Sequence, residues 1–345
     1  MSGRQAINPD ALSRYLAGAC PGLLGDRLDI TKFGGGQSNP TYLVDTGAQR
    51  FVLRRRPSGA VVSSAHAVER EARVMRSLGE TGFPVPAILH ECPDPGVIGS
   101  PFILMTYLDG RVFWDPTLPG EPAETREEIY FALVDALADI HTTDIDAAGL
   151  GDFGPHTDYF ERQISRWSRQ LEAGDVPLPG ADRLKSWLTE SKPADELVTL
   201  VHGDFRLDNV IFSPDTPGVL GVIDWELATL GNPLADLSYF LLSWIIPAGV
   251  AGTPALARAD LAELGIPTRE TVAERYFART GYDRPDEFAF YYAYNLYRVA
   301  AILHGIAHRS RSGTASNTNA AEIGRLATPA IQLALDIAEN TRASW

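Results

Sequence analysis

Basic residues are in deficit. The chain has 30 Lys and Arg against 44 Asp and Glu, a net charge of −14. Nucleic-acid binding needs a basic face to meet phosphates, and anionic membranes repel acidic chains. Neither partner is expected. Cysteine is nearly absent, with only Cys20 and Cys92. Two thiols build neither a disulfide framework nor a metal cluster, so a reducing, cytoplasmic location is expected. Residues Met1 to Asp10 lack the apolar stretch of a signal peptide. The longest apolar run, Leu237 to Val250, is broken by Ser238, Ser243 and Pro247. It is too short to span a bilayer and reads as a buried helix. No repeat and no low-complexity tract is present. There is no Gly-x-Ser-x-Gly nucleophile elbow and no Gly-Lys-Ser/Thr phosphate loop. His141, His304 and His308 have no acids at metal-ligand spacing. A metallohydrolase centre therefore lacks its ligands.

At 345 residues and 45% hydrophobic content, the chain can bury the cores of two lobes. Asn8-Pro9-Asp10 is a helix-start signal, followed by Leu12, Tyr15, Leu16 and Ala19 on one face. Strands are expected at 28–33, 41–46 and 50–55, forming an antiparallel meander with a glycine-rich first turn. Residues 66–78 carry helical spacing, and a further extended stretch starts at Pro84. The apolar run Phe102 to Tyr107 ends at Leu108-Asp109-Gly110, a turn that marks a lobe boundary. Helices are expected next at 125–141, 158–173 and 181–190. Three short strands follow, at 198–201, 209–213 and 219–223. The last expected helices are 233–246, 269–280, 285–308 and 320–340. Five strands and one helix followed mostly by helices make an α+β protein rather than an alternating α/β sheet.

The chemistry concentrates in two runs. Leu200 to Phe212 reads Leu-Val-His-Gly-Asp-Phe-Arg-Leu-Asp-Asn-Val-Ile-Phe, and Ile223-Asp224-Trp225-Glu226 follows. Asp204 stands 5 residues before Asn209, and Asp224 another 15 residues on. Phosphoryl transfer needs a carboxylate to orient a hydroxyl and accept its proton late in the reaction. It also needs hard oxygen ligands for magnesium. Asp204 suits the first task. Asn209 and Asp224 suit the second. Each alone could be a loop or capping residue; an acid, an amide and a post-strand acid in this order seldom coincide by chance.

These runs resemble the aminoglycoside phosphotransferase and choline kinase group of protein-kinase-like enzymes. The run Glu226 to Leu237 and the segment Gly35-Gly36-Gln37-Ser38-Asn39-Pro40-Thr41-Tyr42 extend the resemblance. So do Gly149 to Gly154 and Arg298 to Gly305, which are similar to the kinase-like domain of acyl-CoA dehydrogenase family proteins and its stand-alone bacterial relatives. The similarity runs from about residue 33 to about 311. It implies a two-lobed kinase-like fold, with an N-lobe at 1–108 (antiparallel sheet plus helix) and a larger helical C-lobe at 109–345. It implies Asp204 as catalytic base, Asn209 and Asp224 as magnesium ligands, and Asp236 as a buried brace for the catalytic loop. Gly35, Gly36, Gln37, Ser38 and Asn39 would cover the phosphates of ATP. Arg54 stands where typical kinases have lysine; its planar fork can hold phosphate oxygens. Its carboxylate partner would be Glu71, with Glu69 the alternative, since only one can point inward. Met105, Thr106 and Leu108 would line the adenine site.

The implied acceptor is a small molecule with a hydroxyl. The subgroup resemblance points to a hydroxyacyl-CoA or hydroxy acid, whose anionic groups would need Arg206, Arg298, His304, Arg309 or Arg311. An aminoglycoside or choline acceptor would instead suit an acidic cleft. A nucleotide-binding pseudokinase is the third alternative, left open by the arginine at position 54.

Overall fold

The computed structural model describes residues 7–34, 39–57, 68–193, 197–247, 256–286, 288–312 and 320–339. The phosphate-covering residues Gly35, Gly36, Gln37 and Ser38 lie outside these.

The chain opens with helix α1 (Pro9–Ala19), capped by the Asn8 side chain, which accepts from Asp10 and Ala11 N–H. Strands β1 (Asp29–Lys32), β2 (Thr41–Asp45) and β3 (Arg50–Arg55) follow as the expected meander. Helix α2 (Val68–Glu80) then leads to β4 (Ile88–Cys92) and β5 (Phe102–Thr106). The five strands make one antiparallel sheet in the order β1-β2-β3-β5-β4.

Strand alternation assigns every core residue of this sheet to one of two faces. Phe51, Leu53, Phe102 and Leu104 pack with Leu12 and Leu16 of α1. Val52, Ile103 and Met105 pack on the other side with Val68, Ala72, Met75 and Leu78 of α2. The period of two then fixes the charged positions. Arg54 shares parity with Val52 and so faces α2. Arg55 goes to the opposite face, where it is buried beside Tyr42 and donates to the Ile98 carbonyl.

Past the strip at 107–111 the chain is mainly helical. Arg111 pairs with Phe212 through both backbone bonds, which ties this strip to the segment that carries Asn209. Helices α3 (Ala123–His141), α4 (Tyr159–Glu172) and α5 (Ala181–Glu190) come first. Four short strands, β6 (Thr199–Val201), β7 (Val210–Phe212), β8 (Val219–Val222) and β9 (Thr229–Gly231), form two two-stranded ladders, β6–β9 and β7–β8. Then come α6 (Pro233–Leu241), the short α7 (Leu261–Leu264), α8 (Arg269–Thr280), α9 (Ala289–Arg311), α10 (Ala320–Gly324) and α11 (Ala327–Glu339). Helix α9 is buried along most of its length, and α4, α5, α6 and α11 pack around it. No helix among the described residues is long and apolar enough to cross a membrane.

Three expectations are corrected. Strand β9 has three residues and a glycine, too little for a sequence signal, and forms because β6 supplies its partner. The expected helix at 233–246 is helical only to Leu241 and continues as a tight turn over Leu242–Trp244. The helix expected over 320–340 is broken between Gly324 and Ala327. Pro329 has no N–H and would clash with the carbonyl four residues back, so it is accommodated in the first turn of a new helix.

Candidate active site

The site is assembled around the loop between β6 and β7. Asp236 organises it from the first turn of α6, a helix started by Asn232, whose side chain accepts from Leu234 N–H, and by Pro233. The Asp236 carboxylate accepts the N–H groups of His202 (2.5 Å) and Gly203 (2.9 Å), with the His141 ring at 3.5 Å. Burial alone would raise this carboxyl. The bond from His141 and the amide of His202 outweigh that and hold it below its ordinary value. Gly203 has φ of +81°, and a Cβ there would sit 2.6 Å from the Leu227 carbonyl oxygen, so only glycine fits the bend that delivers Asp204.

His202 clamps the same loop from within. Its Nε2 lies 2.9 Å from the Ile223 carbonyl, and its Nδ1 lies 3.1 Å from Asp204 N–H. A carbonyl can only accept and an amide can only donate, so the ring is neutral with its proton on Nε2. Burial pushes the His202 pKa down. The sign follows. Below the ordinary histidine pKa of about 6.5 the unfolded chain takes up a proton that the folded ring resists, so folding loses stability as pH falls. The melting temperature should therefore drop on acidification from neutral pH, with a shallower drop in His202→Gln. Parallel slopes in the two proteins would remove His202 as the cause.

Asp204 has a partly exposed carboxylate. Asn209 Nδ2 donates to it (3.2 Å) and to the Asp204 carbonyl (2.8 Å). Arg298 Nη2 lies 3.6 Å from one carboxylate oxygen and Arg206 Nε 3.8 Å from the other. The Asn209 backbone is tied to the strand that leads to Asp224, since its carbonyl accepts from Ile223 N–H. Asp224 follows, in the left-handed region at φ 68°, capping a tight turn over Trp225–Leu227. Trp225 is buried and donates from Nε1 to Val222, which holds the turn in this uncommon conformation.

Across the cleft, Arg54 joins both halves. Its Nε pairs with Glu71 at 2.8 Å, and Nη1 donates to Thr41 at 3.2 Å. Its Nη2 pairs with Asp224 and lies 3.6 Å from Glu226. Burial would lower its pKa, but Glu71, Asp224 and Glu226 outweigh this and hold it above its ordinary value. The question of partner is decided: Glu71 is buried and pairs with Arg54, while Glu69 points outward to Arg56 at 2.7 Å. Carboxylate oxygens of Glu71, Asp224 and Glu226 lie within 4.8 Å of one another. The Arg54 guanidinium already supplies the cation among them. The donors that suit magnesium are Asp224, on the cleft side, and Asn209. With Nδ2 engaged by Asp204, the Asn209 amide oxygen is the atom left for a cation, and such hard oxygens are what magnesium takes.

Several expected residues sit elsewhere. Asn39 was expected to donate to phosphate. It is buried, and its Nδ2 donates to Glu71 (2.9 Å) and to Glu226 (3.4 Å), one layer behind the cleft. His304 was expected at the acceptor. It is six residues beyond Arg298, roughly 9 Å along α9, and binds the Val176 carbonyl at 2.7 Å. A Cβ on Gly174 would meet its ring at 2.1 Å, so His304 is locked to the α4–α5 connection. Arg311 pairs with the exposed Asp175. Met105 is buried on the α2 face of β5, opposite Val52. Thr106 is bonded to Ala87 through both its N–H and its hydroxyl oxygen, and Leu108 sits at the following turn against Gly221. Glu226 carries no sequence signal beyond its place two residues after Asp224.

A profile described as "Phosphotransferase enzyme family" matches residues 29–287. Acyl-CoA dehydrogenase family member 10 of Mus musculus is 42% identical over 338 residues, covering 96% of this chain and 31% of that protein. Acyl-CoA dehydrogenase family member 11 of Homo sapiens is 34% identical over 318 residues, covering 91% of this chain and 40% of that protein. The chain thus spans less than half the length of these curated relatives. Among solved structures, "a putative aminoglycoside phosphotransferase" from Ralstonia eutropha JMP134 has a TM-score of 0.85 at 38% identity, covering 98% of this chain and 100% of that one.

Proposed function

The chain belongs to the phosphotransferase enzyme family, and from that premise we propose that it moves the γ-phosphoryl group of Mg-ATP to a hydroxyl of a small molecule. The observation that carries this reading is the position of Asp204: a partly exposed carboxylate, fixed by Asn209, on a loop that Asp236 and His202 hold rigid. Such a group can orient a hydroxyl and accept its proton without rearrangement. Asn209 and Asp224 would hold magnesium. That ion, when bound, supplies charge neutralisation on the transferred group. Arg54 would present its guanidinium to phosphate oxygens while Glu71 keeps it in place. The strip at Met105, Thr106 and Leu108 would take the adenine. All three of Asp204, Asn209 and Asp224 are present, which disfavours a pseudokinase.

For the acceptor we favour a hydroxy acid or hydroxyacyl-CoA over an aminoglycoside or choline. Arg298 and Arg206 flank Asp204, Arg206 also pairing with Asp208 at 2.7 Å, and guanidinium groups beside the hydroxyl site suit an anionic acceptor. The relatives' names are in keeping with an acyl-group acceptor. Incubation with Mg-ATP and a metabolite extract, followed by mass spectrometry, should show phosphorylated hydroxy acids or their CoA thioesters. Phosphorylation of aminoglycosides alone would sink this choice of acceptor.

A further inference from the structure

Beside Asp204, on the α4–α9 side, lies a small pocket of about 10 Å³, room for one water-sized group, lined by Tyr159, Gln163, Arg166, Gly203, Tyr294 and Arg298, with Trp167 and Leu227 completing it. Its two arginines are unusual. Buried guanidinium groups are normally paired with carboxylates. Arg298 is buried, yet its Nη2 makes no hydrogen bond. The Asp204 carboxylate at 3.6 Å is beyond hydrogen-bond reach, and the other neighbours are the faces of Tyr239 (4.6 Å) and Trp167 (5.8 Å). Arg166 lies over the same Trp167 ring at 4.9 Å. Burial, and then repulsion from Arg298, push the Arg166 pKa down. Two like charges therefore line one wall, and the buried Nη2 of Arg298 lies beside it without a hydrogen bond. A buried donor of this kind calls for a partner, and a ligand oxygen in the adjoining pocket can supply it.

We propose that this pocket is the acyl-oxygen subsite of the acceptor. It takes either the carboxylate of a hydroxy acid or the thioester carbonyl of its CoA derivative, held by Arg166 and Arg298 while the hydroxyl reaches Asp204. The pocket has room for about one oxygen-sized group, so it seats a single acyl oxygen rather than a whole molecule. Gly203 lines it and directly precedes Asp204, which puts the seated acyl group and the reacting hydroxyl on one short molecule. This assignment rests on the phosphotransferase reading, but it makes a claim of its own about which end of the acceptor binds where.

The test measures binding and transfer separately on the full chain. Straight-chain hydroxy acids, their CoA thioesters and the matching diols are titrated calorimetrically, then offered with Mg-ATP. Acids or thioesters should bind about tenfold or more tighter than the diols. That preference should collapse in Arg166→Met and return in part in Arg166→Lys, with folding of each variant checked by circular dichroism. The ligand whose affinity falls further in Arg166→Met, acid or thioester, is the one seated. Diols binding as tightly as acids and thioesters, no binding by either acyl ligand, or an unchanged preference in Arg166→Met would each overturn the subsite. Arg166-dependent binding without phosphoryl transfer would keep the subsite and overturn the kinase reading. Transfer with no acyl preference would do the reverse.

Discussion

The Asp204→Asn variant should bind Mg-ATP and fail to transfer its phosphoryl group, with kcat lower by about 10²- to 10⁴-fold. The substitution is nearly isosteric, so the loop should keep its shape: its bend is set by Gly203 and its amides by Asp236 and His202. What changes is the chemistry. An amide cannot accept the hydroxyl proton. Its NH₂ would also face donors, because Asn209 Nδ2 and the Arg298 guanidinium both approach the present carboxylate. A coupled ADP-release assay gives the rate, and calorimetric titration with Mg-ATP shows that the nucleotide site survives. Turnover near that of the wild type would remove Asp204 as the base.

Removing Arg54 should have the largest effect on stability. In Arg54→Met the buried Glu71 loses its cation, and Asp224 and Glu226 lose the group that separates their charges. Breaking a buried pair by deleting one partner costs about 3–5 kcal/mol, because the remaining charge is left without compensation. The melting temperature without nucleotide should fall by several degrees. The deficit should shrink as pH falls, since protonated carboxyls need no cation. Burial already pushes the Glu71 carboxyl up in the intact protein, so protonation there would relieve the variant first. Arg54→Lys should lie between the two, because an ammonium keeps the charge but cannot reach Glu71, Asp224 and Thr41 at once. Denaturant unfolding of the three proteins at neutral and mildly acidic pH checks the ordering. Equal stability of Arg54→Met and wild type would mean that the ion network carries no net stabilisation.

Both variants bear on residues whose sequence signals differed in kind. Asp204, Asn209 and Asp224 were legible because one loop and one hairpin bring them together; β7 and β8 pair with register Val210↔Val222, so neighbours in sequence become neighbours in space. Arg54 was placed by resemblance, where typical kinases have lysine, and the pairing of β3 in the sheet turns it towards α2. Its partner was not legible, because Glu69 and Glu71 both lie in the first turn of α2, and only the angle at which α2 crosses the sheet separates them. Asn39, placed on the phosphates by resemblance, was drawn behind the cleft by the two carboxylates it bonds. The pocket arginines left a partial trace. Tyr159, Gln163 and Arg166 share one face of α4, and Tyr294 and Arg298 are one turn apart on α9, but nothing local says that these two faces meet.

The amino-acid sequence alone determined most of the elements, through periods of two and 3.6, and the acids of the loop at 202–209, through spacing across short turns. These are short-range properties. Which carboxylate meets Arg54, why His304 leaves the acceptor while Arg298 stays, and how Arg166 comes to face Arg298 were decided only by the packing of α2 on the sheet and of α4 against α9. Those contacts join residues far apart in the chain, and their geometry is set by how whole helices fill a shared core, which no local pattern encodes.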